Sequence, residues 1–174
     1  MRHLREAIGG ALVAAGVSTL GDFIWATWIP RHRPVYGLTH GTLLFLSVGL
    51  YLGACAGRTA VGATAGALLG FLAAAGFYLL APLVGYSAMF VLWIGLWVGL
   101  GLLNETLLQR RAGMRDALIR GSLAAMASGV AFYAVSGIWF PFRPRGWDYA
   151  VHFFSWTVAY LPGLLALLIT RPRR

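Results

Sequence analysis

Six apolar stretches, separated by short turns that carry most of the charge, leave this chain one kind of fold. They run from Ala7 to Ile29, Leu38 to Gly57, Ala60 to Leu83, Ala88 to Leu108, Ala117 to Phe140 and Tyr149 to Thr170. Each is close to the ~20 residues that an α-helix needs to cross a bilayer. A backbone in hydrocarbon must satisfy its own hydrogen bonds, so the expectation is an all-α integral membrane protein, a bundle of six transmembrane helices. Only 11% of the 174 residues are charged, against about 25% in a soluble domain, and no length is left for a soluble domain. The chain reads as one domain, 1–174. The first apolar run follows Arg2 and Arg5, as a signal peptide would, but it continues past any small-residue cleavage point to the aromatic boundary before Pro30. It therefore reads as a retained helix.

The net charge of +9 comes wholly from arginine, and there is no lysine. Six spans put Arg2, Arg5, Arg58, Arg110, Arg111, Arg115, Arg120, Arg171, Arg173 and Arg174 on one side, and Arg31, Arg33, Arg143 and Arg145 on the other. The richer side is expected to be cytoplasmic, with both termini there. This topology accounts for the basic balance, so no nucleic-acid partner is expected. The location is read as a bacterial inner (plasma) membrane. Trp25, Trp28, Tyr36, Tyr86, Trp139, Phe140, Phe142 and Trp147 gather at the opposite boundary, as an interfacial aromatic belt does. Cys55 is the single cysteine, in an apolar run, which excludes a disulfide framework and reads as a small buried hydrophobe.

Small residues recur every fourth position, at Gly49, Gly53 and Gly57, at Gly62, Gly66 and Gly70, and at Gly95 and Gly99. Such rows let helix backbones approach closely in lipid. Packing within one bundle is the first expectation and a homo-oligomer the alternative. Pro162 inside the sixth stretch withholds a donor from the carbonyl of Val158 and is expected to kink that helix.

Charged groups inside a span mark a site by default. Asp22 precedes Pro30 by eight residues, ~12 Å of helix, and His40 and His152 lie a few residues into the second and sixth spans. The three can share one depth on the outer side, beneath Asp148. An Asp beside His is chemistry for an acid–base pair, for a metal, or for hydrogen-bonding a lipid headgroup. Nothing in the spacing demands a metal, and no cofactor is expected. The structural alternative is that Asp22 and His40 tie helices together and that His152 is a satisfied core histidine. His32, between two arginines, reads as solvated. Asn104 and Glu105 close the fourth span, with Glu105 expected to pair with Arg110 or to reach the interface, and Asp116 suits a helix N-terminus. There is no H-E-x-x-H, no nucleophile elbow, no Walker loop and no lysine for a Schiff base. Neither an internal repeat nor midplane-broken helices point to a transporter.

The run IGLWVGLGLLNETLLQRRAGMRDALIRGSLAAMASGVAFYAVSGIW, with its Trp-bearing fourth span, Arg-Arg-Ala-Gly loop and small-residue fifth span ending in aromatics, resembles the Insig family of six-span sterol sensors. The resemblance implies a six-helix bundle with cytoplasmic termini and a central cavity for an oxysterol or a diacylglycerol-like lipid. The family's acidic residue in the loop after span four has no counterpart in Leu108-Gln109-Arg110-Arg111-Ala112-Gly113. Binding of the family's protein partner is therefore not implied.

The leading expectation is a non-enzymatic membrane protein binding a diacylglycerol-like or sterol-like lipid, a lipid sensor or regulator. The polar candidates for ligand contact are Asp22, His40 and His152. The aromatic ones are Trp25, Trp93, Trp97, Phe132, Tyr133, Phe153, Trp156 and Tyr160, chosen as intramembrane rings. The alternatives are a small enzyme acting on a lipid or isoprenoid, with Asp22, His40 and His152 as acid–base groups, and a structural subunit of a membrane complex.

Overall fold

The computed structural model describes residues 2–29, 34–108, 113–139 and 144–168. They form helices α1 (Arg2–Trp28), α2 (Pro34–Cys55), α3 (Thr59–Val84), α4 (Ala88–Leu102, continued by a π-helical stretch Leu103–Leu108), α5 (Met114–Trp139) and α6 (Asp148–Leu168). All six spans are long and apolar enough to cross a membrane. Each helix packs on the next in sequence, and α6 returns to α1, so the bundle closes into a ring. The start of α1 and the end of α6 lie at one end, here called the terminal end; the end of α1, the start of α2, the α3–α4 turn, the end of α5 and the start of α6 form the distal end.

Glycines at positive φ end two of the helices. Gly57 (φ 70°) stops α2 short of Arg58, whose N–H bonds back to the Gly53 carbonyl at 2.7 Å. Gly85 (φ 64°) ends α3 before a short 3₁₀ turn, Gly85–Ser87. At the start of α6 the Asp148 carboxylate accepts the Arg145 N–H at 2.9 Å, next to the positive end of the helix dipole.

Small residues set the helix spacings. The rows on α2 and α3 face each other: a Cβ on Gly66 would lie 2.9 Å from the Gly49 Cα, and one on Gly62 2.7 Å from the Gly53 Cα. These glycine faces are therefore covered within one chain. Gly101 meets Gly121 in the same way between α4 and α5. On α1 the buried stripe is Ala7, Gly10, Ala11, Ala14, Ser18 and Gly21, at the i, i+3, i+4 spacing of a single helix face. On α3 only Gly62, Gly66 and Gly70 are buried, while Leu68, Leu72, Leu79 and Leu83 point outward. The helix with the highest hydropathy is thus the least covered by protein, the inverse of a water-soluble fold and the arrangement a hydrocarbon solvent favours.

Candidate functional site

The distal half of α1 is held from two sides. Gly21 and Asp22 are consecutive, so they point ~100° apart around the helix and meet different neighbours. Towards α2, the Tyr36 hydroxyl donates to the Gly21 carbonyl, and His40 stacks on Tyr36 with ring centroids 5.8 Å apart. The His40 ring covers the Gly21 Cα so closely that no side chain fits there. Towards α6, the Asp22 carboxylate receives two donors on the same oxygen: His152 Nδ1 and Trp156 Nε1 each lie 2.8 Å from Oδ2. With the carboxylate accepting, His152 carries its proton on Nδ1. His152 and Trp156 are four residues apart and share one face of α6. The His152 side chain is 6% exposed and that of Asp22 26% exposed, so the carboxylate is reached from one side only.

Above this pair opens a cleft of about 360 Å³ between α1 and the start of α6, lined by Phe23, Ala26, Thr27, Pro144, Arg145, Gly146 and Tyr149. Ala26 is one turn beyond Asp22 and Tyr149 one turn before His152, so the cleft lies directly distal to the pair. Its walls expose more polar than apolar surface; Phe23 and Tyr149 stand ring to ring at 5.5 Å, and Arg145 supplies the one cationic side chain of its lining.

Below the pair, one turn back on α1, Ser18 Oγ lies 3.4 Å from the Tyr160 hydroxyl. Tyr160 belongs to a closed circuit of rings from α4, α5 and α6. Trp156 to Tyr160 is 5.8 Å, Tyr160 to Trp93 5.8 Å, Trp93 to Phe132 5.5 Å and Phe132 to Trp156 5.5 Å, with successive planes 23–33° apart. Trp97 packs edge-on to Trp93 at 6.1 Å, and its six-membered ring fills the notch at Gly163. The Pro162 segment of α6 is tied to α5, where the Ser128 hydroxyl donates to the Ala159 carbonyl at 2.6 Å, one residue past the Val158 carbonyl that Pro162 leaves without its helical donor.

Of the sequence candidates, Asp22, His152 and Trp156 are bonded together, and Trp93, Trp97, Phe132 and Tyr160 form the ring cluster with Trp156. His40 sits beside the site, on the Gly21 side of α1. Trp25 is half-buried on α1, one turn beyond Gly21. Tyr133, 73% exposed, faces away from the bundle, and Phe153, 38% exposed, lies at its surface near Gly16. Among the described residues no group of three His, Cys, Asp or Glu side chains could hold a metal ion.

A second polar cluster occupies the terminal end. The expected partner of Glu105, Arg110, lies outside the described residues. Glu105 does not reach the interface: it is 2% exposed and pairs with Arg120 of α5 at 3.6 Å. Asn104 Nδ2 donates to Glu105 Oε1 at 3.3 Å and to the Leu167 carbonyl at 3.4 Å. The π-helical stretch explains the difference, because i→i+5 bonding turns the adjacent Asn104 and Glu105 both inward. The Glu105–Arg120 pair spans α4 and α5 across 15 residues of sequence, and no local spacing signals it.

No protein-family model, curated protein or solved structure matches the chain.

Proposed function

We propose that this protein is a non-enzymatic membrane protein that binds one lipid, diacylglycerol-like or sterol-like, with its polar end in the distal cleft. The observation carrying this reading is the vertical order of cleft, Asp22 pair and ring cluster along α1 and α6. The polar lining of the cleft and the carboxylate beneath it suit the polar end of a lipid, and the Phe23 and Tyr149 rings and the ring cluster below offer apolar surface to the rest. Both donors from α6 converge on Asp22 Oδ2. Oδ1 takes part in neither bond, and a ligand hydroxyl donating to it would suit an uncharged lipid alcohol. The resemblance of segments four to six to the Insig family supports the same reading.

The positive-inside distribution of arginine supports cytoplasmic termini in a plasma membrane, with the cleft facing out. Because the α2 and α3 glycine rows are covered within one chain, a single copy is enough to bury them.

Native mass spectrometry of protein extracted in mild detergent tests the proposal. A stoichiometric lipid is expected, and its occupancy should fall in the Tyr149→Ala and Asp22→Asn variants. A protein that carries no lipid, or whose lipid ignores both changes, overturns it. Turnover of a lipid substrate that vanishes in folded Asp22→Asn would instead favour the enzyme reading.

A further inference from the structure

Arg145 is a cation in the distal cleft that a lipid alcohol leaves without a role. Its side chain lines the cleft, and its guanidinium has no acceptor among the described residues. The Asp148 carboxylate takes the Arg145 backbone N–H instead, at 2.9 Å. Beside it, Gly146 stands at φ 52° with open space where a Cβ would be, so this wall of the cleft is bare backbone. A guanidinium presents a rigid fork of donors that matches phosphate oxygens, and it stays charged at any physiological pH.

The depth of the cleft fits a phosphate as well. Trp28 and Trp147, each next in sequence to a cleft residue, are 67% and 88% exposed. Outward tryptophans at the ends of spanning helices sit at the level of lipid headgroups. Asp22 lies one helical turn below Ala26 of the lining, about 5 Å deeper along α1. Phe23 in the lining and Leu20, three residues before it, are both exposed and share a face of α1, an apolar path down the outside of the helix. From the headgroup level inwards, a ligand here meets a cation, then a carboxylate, then apolar surface.

We propose that the lipid of the distal cleft is a lysophospholipid, a glycerolipid with one phosphodiester, one free glycerol hydroxyl and one acyl chain. This rests on the lipid reading of the same cleft and narrows it. The phosphate pairs with the Arg145 guanidinium, the hydroxyl donates to Asp22 Oδ1, and the chain runs over Phe23 and Leu20 into the bilayer. Sterols and diacylglycerols carry the hydroxyl without the phosphate. Diacyl phospholipids carry the phosphate with both inner glycerol hydroxyls esterified. In the ethanolamine form the headgroup is net neutral, and Asp148, bonded to the Arg145 N–H, is placed to receive the ammonium.

The test is native mass spectrometry of the whole chain in mild detergent, titrated with monooleoyl lysophosphatidylethanolamine. Monooleoylglycerol keeps the hydroxyl and lacks the phosphate; dioleoyl phosphatidylethanolamine keeps the phosphate and lacks the hydroxyl. Each is expected to bind about tenfold more weakly, the equivalent of one lost charge-assisted hydrogen bond. Arg145→Ala should reduce lysophospholipid affinity to that of monooleoylglycerol and leave monooleoylglycerol unchanged. Asp22→Asn should weaken the lysophospholipid about fivefold and leave the diacyl lipid unchanged, so in each variant the unaffected lipid reports an intact fold. A lysophospholipid bound no more tightly than monooleoylglycerol, or indifferent to Arg145→Ala, overturns the proposal; the broader lipid reading then stands if monooleoylglycerol still binds, and falls with it if none of these lipids binds. Glycerophosphoethanolamine, the same headgroup without a chain, should not displace the lysophospholipid at equal concentration; equal displacement would assign the cleft to a soluble phosphodiester and overturn the lipid assignment.

Discussion

Replacing Asp22 by alanine gives the sharpest test of the α1–α6 connection. The change removes the acceptor of two donors, His152 Nδ1 and Trp156 Nε1. In water-soluble proteins, hydrogen bonds to a charged group contribute about 1.5–3 kcal/mol each. Inside membranes the measured couplings are smaller, averaging about 0.6 kcal/mol with a maximum near 1.7, because the unfolded helices also find partners in lipid. The Asp22 side chain keeps 26% of its surface exposed, which further favours the lower range. Two such bonds give an expected loss of about 1–3 kcal/mol. Asp22→Asn keeps a carbonyl acceptor but loses the charge, so about half that loss is expected. Equilibrium unfolding in mixed micelles with rising dodecyl sulfate measures both. A double-mutant cycle of Asp22→Ala with Trp156→Phe should show a coupling of about 0.6–1.7 kcal/mol. An Asp22→Ala protein within about 0.3 kcal/mol of the parent, or a coupling indistinguishable from zero, would refute the claim that this carboxylate joins the two helices.

Two further outcomes follow from packing and charge. Gly66→Leu puts a branched side chain where even a Cβ lies 2.9 Å from the Gly49 Cα; α2 and α3 must separate, and a loss of about 1–3 kcal/mol or more is expected in the same unfolding assay. Gly95→Leu, at a position with nothing within 4 Å, should change stability little, and equal losses at both sites would contradict the assignment of the glycine rows to the α2–α3 contact. At the terminal end, Arg120→Ala removes the cationic partner of the buried Glu105, leaving, among the described residues, only the Asn104 amide donating to it, and is expected to cost about 3–5 kcal/mol. The double change Arg120→Leu with Glu105→Leu should recover most of that, and if it is no more stable than Arg120→Ala the pair does not hold α4 to α5 as described.

The helices were legible because hydrocarbon forces the backbone to satisfy itself, and twenty apolar residues in a row record that requirement directly. Part of the site was legible for a related reason. An aspartate eight residues before Pro30 and a histidine early in the sixth span are costly in lipid, so they had to find each other or something else polar. Trp156 entered only as an intramembrane ring; that it shares a helix face with His152 and so reaches the same carboxylate is what the structure adds. What the spacing could not yield is the partition at Gly21 and Asp22. Whether His40 meets the carboxylate depends on the rotation of α2 about its axis, and the rotation found lets the Tyr36 hydroxyl reach a backbone carbonyl. A carbonyl has no signature in sequence. Glu105 was misjudged for a comparable reason, since α-helical periodicity cannot foresee a π-helical stretch that changes which way consecutive side chains face.

The two polar clusters bracket α6. His152 and Trp156 fasten its distal half to α1, while the Leu167 carbonyl near its other end receives Asn104 and, at 3.5 Å, Arg120. Pro162 lies between them, in a segment where one helical hydrogen bond is missing and Ser128 holds the adjacent carbonyl. A helix fixed at both ends and weakened in the middle yields at the middle. Under the lipid proposal, a ligand in the distal cleft would lie against Tyr149, and any displacement of α6 would be taken up around Pro162, next to the Trp97 ring that fills the Gly163 notch. The ring cluster therefore sits where motion of α6 would first be felt. Pro162→Ala restores the missing donor and stiffens that point. It should leave lipid occupancy of the cleft within about twofold while lowering the hydrogen exchange of residues 158–163 by about tenfold, the equivalent of roughly one regained helical bond. Exchange there that stays unchanged would show that Ser128, and not the proline, already sets the stiffness of the helix.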